Sequence, residues 1–66
     1  GHYVYLEWDT EDGYNNYEVY ASSNPYDGFE LDTNGFFALQ NTSRNLWSEQ
    51  LGDDKKFFMI KRIPTE

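Results

Sequence analysis

Hydrophobic and polar residues alternate with a period of two in several short stretches of this chain. In residues 3–8, Val4, Leu6 and Trp8 fall on one side of an extended backbone, and their more polar neighbours fall on the other. This period, combined with β-branched and aromatic residues, is typical of β-strands. The same reasoning predicts strands in five further stretches, residues 17–22, 29–32, 36–39, 46–51 and 56–63.

Turn-forming residues separate these strands. Asn24-Pro25 and Asp27-Gly28 interrupt regular structure after the second strand, and Asn34-Gly35 fits a two-residue hairpin turn because both residues tolerate positive φ. The polar residues 40–45 predict an exposed loop, and Gly52-Asp53-Asp54 predicts a turn. No stretch has the spacing of an amphipathic helix. The chain is therefore predicted to be all-β, with five to six strands in a small antiparallel sandwich or a partly open barrel.

Aromatic residues supply most of the predicted core. Thirteen of the 66 residues are Phe, Tyr or Trp, and each can bury about 150–250 Å². There is no cysteine to form a disulfide, and no Cys/His cluster offers a structural zinc site. We treat residues 1–66 as one domain and interpret Gly1-His2 as a tag remnant. The predicted core residues are Val4, Leu6, Trp8, Tyr17, Val19, Leu31, Trp47, Phe58 and Ile60.

Charge is distributed unevenly along the chain. The formal net charge is −7, and residues 1–43 contain eight acidic residues but no Lys or Arg. Proteins that bind nucleic acid neutralise its phosphates with Lys and Arg, so this composition argues against a nucleic-acid partner. No apolar run approaches the ~20 residues of a membrane span, which argues against a membrane partner. Solubility explains the acidity most simply.

Six segments follow one another in a characteristic order. A strand ending in tryptophan (residues 3–8) precedes a Tyr-x-Val-Tyr strand (17–20) and a Ser-x-Asn-Pro-Tyr-x-Gly-Phe turn (22–29). An Asp-Thr-x-Gly segment (32–35), a tryptophan-bearing strand (46–51) and a Lys-Lys-Phe-Phe segment (55–58) complete the order. Over residues 3–63 the chain resembles the fibronectin type III-like modules of large secreted bacterial proteins, and the turn at 22–29 is the most distinctive part.

The resemblance implies an immunoglobulin/fibronectin III-like sandwich without catalytic activity. Such a domain is expected to be an accessory, spacer or protein-interaction module of a secreted or surface bacterial multidomain protein, located outside the cell or at its surface. Its expected partners are neighbouring domains or another protein. A full module has seven strands, and this chain lacks the first and, in one interpretation, the last. A missing strand exposes a sheet edge, so a weak homodimer is expected through residues 3–8 or 56–63.

The acidic loop at residues 9–16 is a weak candidate for calcium binding. Asp9, Glu11 and Asp12 supply oxygen ligands within a few residues of one another. The spacing fails the EF-hand pattern, because Gly13 comes one position too early and no Glu closes a twelve-residue loop. We interpret the loop as a solvated turn and expect no metal.

Candidate catalytic groups are few. The carboxylate pairs Glu7/Asp9 and Glu30/Asp32 each lie on one strand face, but so small a sandwich has little room for a substrate cleft between two such groups. His2 is the single histidine, and no nucleophile, base and orienting group fall into a recognisable set. We expect no enzyme activity and no cofactor.

Tyrosines provide the clearer candidate for binding. Alternation places several of them opposite the core-facing residues, where their rings could stack on sugars or on a protein partner. The alternative is that they only pack across strands. Two further functions therefore stay open beside the spacer or interaction module: a carbohydrate-binding module, and a small acidic protein that binds a basic partner by charge, as an inhibitor or nucleic-acid mimic would. The candidate ligand face consists of Tyr3, Tyr5, Tyr14, Tyr20 and Tyr26.

Overall fold

The protein is all-β. The computed structural model describes residues 2–40, 42–52 and 56–64, apart from the side chain of Asn15, and every regular element in them is a β-strand. No helix is present among these residues, so none is available to cross a membrane. The six strands are β1 (His2–Asp9), β2 (Tyr14–Ser22), β3 (Glu30–Leu31), β4 (Phe36–Leu39), β5 (Arg44–Leu51) and β6 (Phe57–Pro64).

The strands form two antiparallel sheets of three strands each. The first sheet has the order β1-β5-β4, and the second has the order β3-β2-β6. The chain therefore crosses from one sheet to the other after β1, after β3 and after β5. β1 and β5 pair without interruption from His2↔Leu51 to Asp9↔Arg44. This arrangement confirms the predicted all-β class and the predicted number of strands.

The core lies between the two sheets. Trp47, on the central strand β5, is 2% exposed, and its ring meets Phe58 of the second sheet edge-on at 5.8 Å between centroids. Trp8 of β1 makes a similar edge contact with Tyr17 of β2 at 5.6 Å. Such edge-to-face pairs stabilise a core beyond the area that they bury. The two sheets are therefore held together by aromatic contacts.

Burial follows the position of each strand within its sheet. The predicted core residues on central strands, Tyr17, Val19 and Trp47, are buried, and Leu51 joins them. Those on the outer strands β1 and β6 are only half-buried, because no described strand covers the far side of β1 or β6. These half-buried residues are Val4, Leu6, Trp8, Phe58 and Ile60.

Leu31 does not belong to the core, contrary to the prediction. It pairs with Tyr20 on the outer face of the second sheet and is 50% exposed. The backbone N–H of Asp32 donates to the carbonyl of Val19 at 2.8 Å, and the Asp32 side chain lies inside with 1% exposure. The alternation of apolar and acidic residues predicts the opposite orientation, because an acid is ordinarily expected to face water.

Asn34-Gly35 does not close a hairpin, which corrects a second prediction. β3 and β4 belong to different sheets, and Gly35 is not among the glycines with positive φ, which are Gly13 and Gly28. A Cβ on Gly35 would overlap the indole ring of Trp47. Glycine is needed here for close packing and not for a turn conformation.

The predicted loop at residues 40–45 is also partly wrong. Arg44 and Asn45 are the first residues of β5, and Asn45 is completely buried. Its side-chain amide donates to the Thr10 hydroxyl at 2.8 Å, which compensates for the loss of water. Residue 41 lies outside the described residues, as do Asp53 and Asp54 of the predicted turn.

Candidate functional site

The five candidate tyrosines do not share one surface. Tyr3 and Tyr5 lie on the outer face of the first sheet, where their rings stack at 6.2 Å between centroids with an interplanar angle of 24°. Tyr20 lies on the outer face of the second sheet. The guanidinium of Arg62 lies over the ring of Tyr14, which is the first residue of β2 and not part of a loop, contrary to the predicted loop at residues 9–16. Tyr26 projects from the turn after β2. Only Tyr3 and Tyr5 are brought together as predicted.

The outer face of the first sheet presents a row of exposed aromatic side chains. Ser48 of the central strand pairs with Tyr5 on one side and with Phe36 on the other. Residues paired across strands share a face, so the two rings flank the small serine and bury it. Tyr5 is 67% exposed and Phe36 62% exposed. We call Tyr3, Tyr5, Phe36 and Leu39 the aromatic face.

The aromatic face rests on a rigid support. Leu39 pairs with Leu46 of β5, which in turn pairs with Glu7 of β1. The Glu7 carboxylate forms an ion pair with Arg44 at 3.2 Å at the margin of this surface. Because β1 and β4 both pair with the buried central strand β5, the sheet sets the backbone positions from which these exposed side chains project. A preformed surface loses less entropy on binding than a flexible one.

A second apolar row lies on the outer face of the other sheet. Tyr20 pairs with Leu31 on one side and with Met59 on the other, and both partners are about half-exposed. The ammonium of Lys61 lies 5.9 Å from the centre of the Tyr20 ring, and the Tyr20 hydroxyl donates to Glu18. Lys61 and Glu18 thus cover part of this row. It is less open than the aromatic face.

The turn between β2 and β3 is built by side chains that replace backbone pairing. The hydroxyl of Ser22 donates to the carbonyl of Asp27 at 2.6 Å and accepts from the N–H of Asn24 at 3.0 Å. The carboxamide oxygen of Asn24 accepts from the N–H of Tyr26 at 2.9 Å. Gly28 closes the turn with a φ of 74°. Such Asx and Ser turns explain why this segment has a distinctive sequence.

A cleft of about 700 Å³ opens between this turn, β3 and Lys56. It is lined by polar and acidic residues, including Asp27, Glu30 and Asp32. At its inner end the Lys56 ammonium donates to Glu49 at 2.7 Å and lies 3.8 Å from the Asp32 carboxylate. The side chains of both acids are 1% exposed. Two buried carboxyl groups therefore converge on one lysine.

This buried cluster carries more acid than cation. Oδ2 of Asp32 and Oε1 of Glu49 accept no hydrogen bond from the residues that the structure describes. Burial raises the pKa of Glu49, the neighbouring Asp32 raises it further, and Lys56 lowers it. A raised pKa favours the neutral form of Glu49, which lessens the repulsion between two carboxyl groups that are buried together.

Replacing Glu49 with glutamine is expected to stabilise the domain near neutral pH and to leave it unchanged in acid. A raised folded-state pKa means that Glu49 contributes fully to stability below its ordinary pKa of 4.5. That contribution is lost as the pH rises through the folded-state value. Glutamine mimics the protonated acid at every pH. Urea unfolding between about pH 4 and pH 8 measures the difference from the parent chain.

The matched control for this prediction is Glu7→Gln. Glu7 is exposed and pairs with an exposed arginine, so its removal changes stability little. An advantage of Glu49→Gln that stayed constant across the pH range, or that grew in acid, would contradict the raised pKa of Glu49.

The acidic loop does not gather metal ligands. Glu11 accepts from Arg62 at 2.5 Å, and its backbone N–H donates to the Tyr17 hydroxyl at 2.9 Å. Among residues 2–40, 42–52 and 56–64, no group of three His, Cys, Asp or Glu side chains is arranged to hold a metal ion. The loop instead connects the end of β1 to the end of β6 through the Glu11–Arg62 ion pair.

Two features are not predicted from the sequence: the place of Phe36 in the ligand face, and the buried cluster around Glu49. The sequence pattern assigns Phe36 to a strand but not to the ligand face, because the strand that Phe36 pairs with cannot be identified from the sequence. It places Glu49 correctly on the face of Trp47 and Leu51, and an acid in an otherwise apolar row is the available signal for a buried cluster.

Comparisons with family models, curated proteins and solved structures found no match to this chain.

Proposed function

We propose that this chain is a non-catalytic protein-interaction module that binds through the aromatic face. The observation that carries the proposal is the row formed by Tyr5, Ser48 and Phe36, in which two largely exposed rings lie on either side of the buried central strand β5. Contiguous exposed apolar surface marks interaction sites in soluble proteins, and aromatic residues are enriched in them. The proposed partner is a neighbouring domain or another protein.

The strand order supports an accessory domain of immunoglobulin/fibronectin III-like type. In the seven-stranded immunoglobulin pattern, the second, fifth and fourth strands are neighbours, and the third and sixth strands pair in the other sheet. β1-β5-β4 and β2-β6 have these relations if the first and seventh strands are absent and β3 is an additional strand beside β2. Modules of this kind occur in secreted and surface multidomain proteins, so we infer an extracellular or cell-surface location.

A charge-driven acidic binder is less well supported. Several acids are already paired within the chain, since Glu7 contacts Arg44, Glu11 contacts Arg62, and Lys56 contacts both acids of the buried cluster. These four acids therefore have less charge to offer to a basic partner. A carbohydrate-binding module is favoured by one observation, the near-parallel stack of Tyr3 and Tyr5.

Hydroxyl-radical footprinting of the isolated domain, and of the same domain within its intact parent protein, tests the proposal. We expect oxidation of Tyr5 and Phe36 to fall in the parent, because a partner covers the aromatic face. Tyr26, which is 91% exposed in the turn, is the internal reference and should stay reactive. Equal reactivity of all three residues in both samples would show a spacer with a free surface.

A third sample, the isolated domain with soluble polysaccharide, separates the alternatives. Protection of Tyr3 and Tyr5 by sugar, without protection in the parent protein, would replace the proposal with a carbohydrate-binding module. A protein-interaction module gives no protection by sugar.

A further inference from the structure

The two sheets end in four edge strands of very different length. β3 has two residues, and β4 has four residues with a register shift. β1 and β6 have eight residues each, and neither has a second neighbour among the described residues. A long edge strand exposes unpaired N–H and C=O groups that another chain can pair with, and natural proteins usually block such edges. The short edge strands β3 and β4 offer few backbone groups for such pairing.

β6 has three features that block pairing. Arg62 pairs with the buried Tyr17 and therefore places a charge on the inner side of the sheet, a recognised protection against edge pairing. Lys61 adds a charge on the outer side. Pro64 ends the strand and has no backbone N–H to donate. An added strand beside β6 would meet a charge on each side, so this edge is protected.

β1 has neither a charge on its inner side nor a proline, and its two charged residues, Glu7 and Asp9, lie on the outer side. From Tyr3 to Asp9 it contains no Lys, Arg, Pro or Gly. Its inner residues Val4, Leu6 and Trp8 are apolar and only half-buried, so an added strand would cover more of them. β1 is therefore the long edge on which strand addition both satisfies backbone groups and buries apolar area.

We propose that β1 of one copy pairs antiparallel with β1 of a second copy, which joins their first sheets into one sheet of six strands. This inference rests on the proposed function, an interaction module, and names one of its partners as a second copy of this chain. A two-fold axis at Leu6 places Leu6 opposite its own copy and Val4 opposite Trp8 on the inner side. On the outer side Tyr5 lies opposite Glu7, and Tyr3 lies opposite Asp9.

Charge and the two faces of the strand disfavour two alternative registers. A shift by one residue would place inner residues opposite outer ones. A shift by two residues toward the end of β1 would place Glu7 opposite Glu7, and like charges directly opposite each other are unfavourable. In the register centred on Leu6, each carboxylate meets a tyrosine. Two copies of β1 can therefore pair without placing like charges opposite each other, even though the whole chain is strongly acidic.

The net charge keeps the dimer weak at low ionic strength. Two copies with a charge of −7 each repel one another, and salt screens this repulsion over distances of about 10 Å at 0.1 M. Association through β1 therefore strengthens as salt concentration rises. An association driven by attraction between an acidic and a basic surface would weaken instead.

Analytical ultracentrifugation over a wide range of protein and salt concentrations tests the proposal. We expect a monomer–dimer equilibrium that salt favours. Tyr5→Glu places two like-charge pairs in each dimer, because the two-fold axis repeats every contact, and should weaken the dimer about tenfold. Adding Glu7→Lys to this variant creates two opposite-charge pairs and should restore the dimer. Tyr5 is largely exposed, so these variants retain the fold, which circular dichroism verifies.

Met59→Lys is the matched control on the other edge strand. In a dimer formed through β6 about Ile60, Met59 would lie opposite Lys61 of the second copy, so this variant would weaken such a dimer and leave one formed through β1 unchanged. A strictly monomeric chain under every condition, or a dimer that Met59→Lys weakens and Tyr5→Glu does not, would overturn the assignment to β1. Neither result affects the footprinting of the aromatic face in the parent protein, which tests the proposed function separately.

Discussion

Replacing Trp47 with alanine is expected to remove a large part of the domain's stability at 25 °C. The residue is 2% exposed and lies between the sheets against Phe58. Removal of a fully buried tryptophan side chain costs about 3–5 kcal/mol, and a chain of 66 residues has a total stability of only about 3–10 kcal/mol. Urea unfolding followed by circular dichroism measures the loss, because the fluorescence of the variant comes from Trp8 alone.

Trp8→Ala is the matched control for this prediction. Trp8 packs edge-on against Tyr17 and Phe37, but it lies on an edge strand and is only half-buried. Part of its surface is already in water, so its removal should cost clearly less than removal of Trp47. A loss from Trp47→Ala no greater than that from Trp8→Ala would show that the core is not centred on β5.

The strands themselves can be predicted from the sequence, since each needs only local information. The alternation in residues 3–8 and 46–51 identifies β1 and most of β5, and it places Trp47, Glu49 and Leu51 on one face as the structure has them. A period of two reflects the pleat of a strand and not its neighbours. This is why the strand positions are correct while the pairing partners stay unknown.

The sequence-based predictions are wrong where contacts with residues far away in the sequence determine whether a side chain is buried. Asp32 is buried because Lys56 and Glu49 meet it from other parts of the chain, and Leu31 is turned outward as a consequence. Asn45 is buried because the Thr10 hydroxyl accepts a hydrogen bond from its side-chain amide. A polar residue is ordinarily predicted to be exposed, and only the contacts of the folded chain identify the exceptions.

The candidate site is predictable to a similar extent. Tyr3 and Tyr5 share a face by alternation alone, and the structure places them together. Their extension to Phe36 depends on the pairing of both β1 and β4 with Ser48, which no local pattern contains. The separation of Tyr14 and Tyr20 from this face depends on the division of the chain into two sheets.

Replacing Gly35 with alanine is expected to destabilise the domain severely, by about 3 kcal/mol or more. A Cβ at this position would overlap the Trp47 ring and would lie 2.6 Å from the carbonyl oxygen of Ser48. Neither group can move easily, because Trp47 is buried and the Ser48 carbonyl belongs to the central strand β5. Thermal unfolding followed by circular dichroism measures the loss.

Substitutions at two other glycines distinguish the effect of packing on stability from the effect of backbone conformation. A Cβ on Gly52 would meet no atom within 4 Å, and Gly52 has no positive φ, so Gly52→Ala should be nearly neutral. Gly13 also has open space around it, but its φ is 89°, so Gly13→Ala should cost about 1–2 kcal/mol from backbone strain alone. The Gly35→Asn variant distinguishes between two roles of Gly35: close packing against Trp47, and a hairpin turn with positive φ. Asparagine tolerates positive φ in a hairpin turn, whereas it clashes with Trp47 as alanine does. A stable Gly35→Asn variant would restore the predicted turn and would remove the close contact between Gly35 and the core.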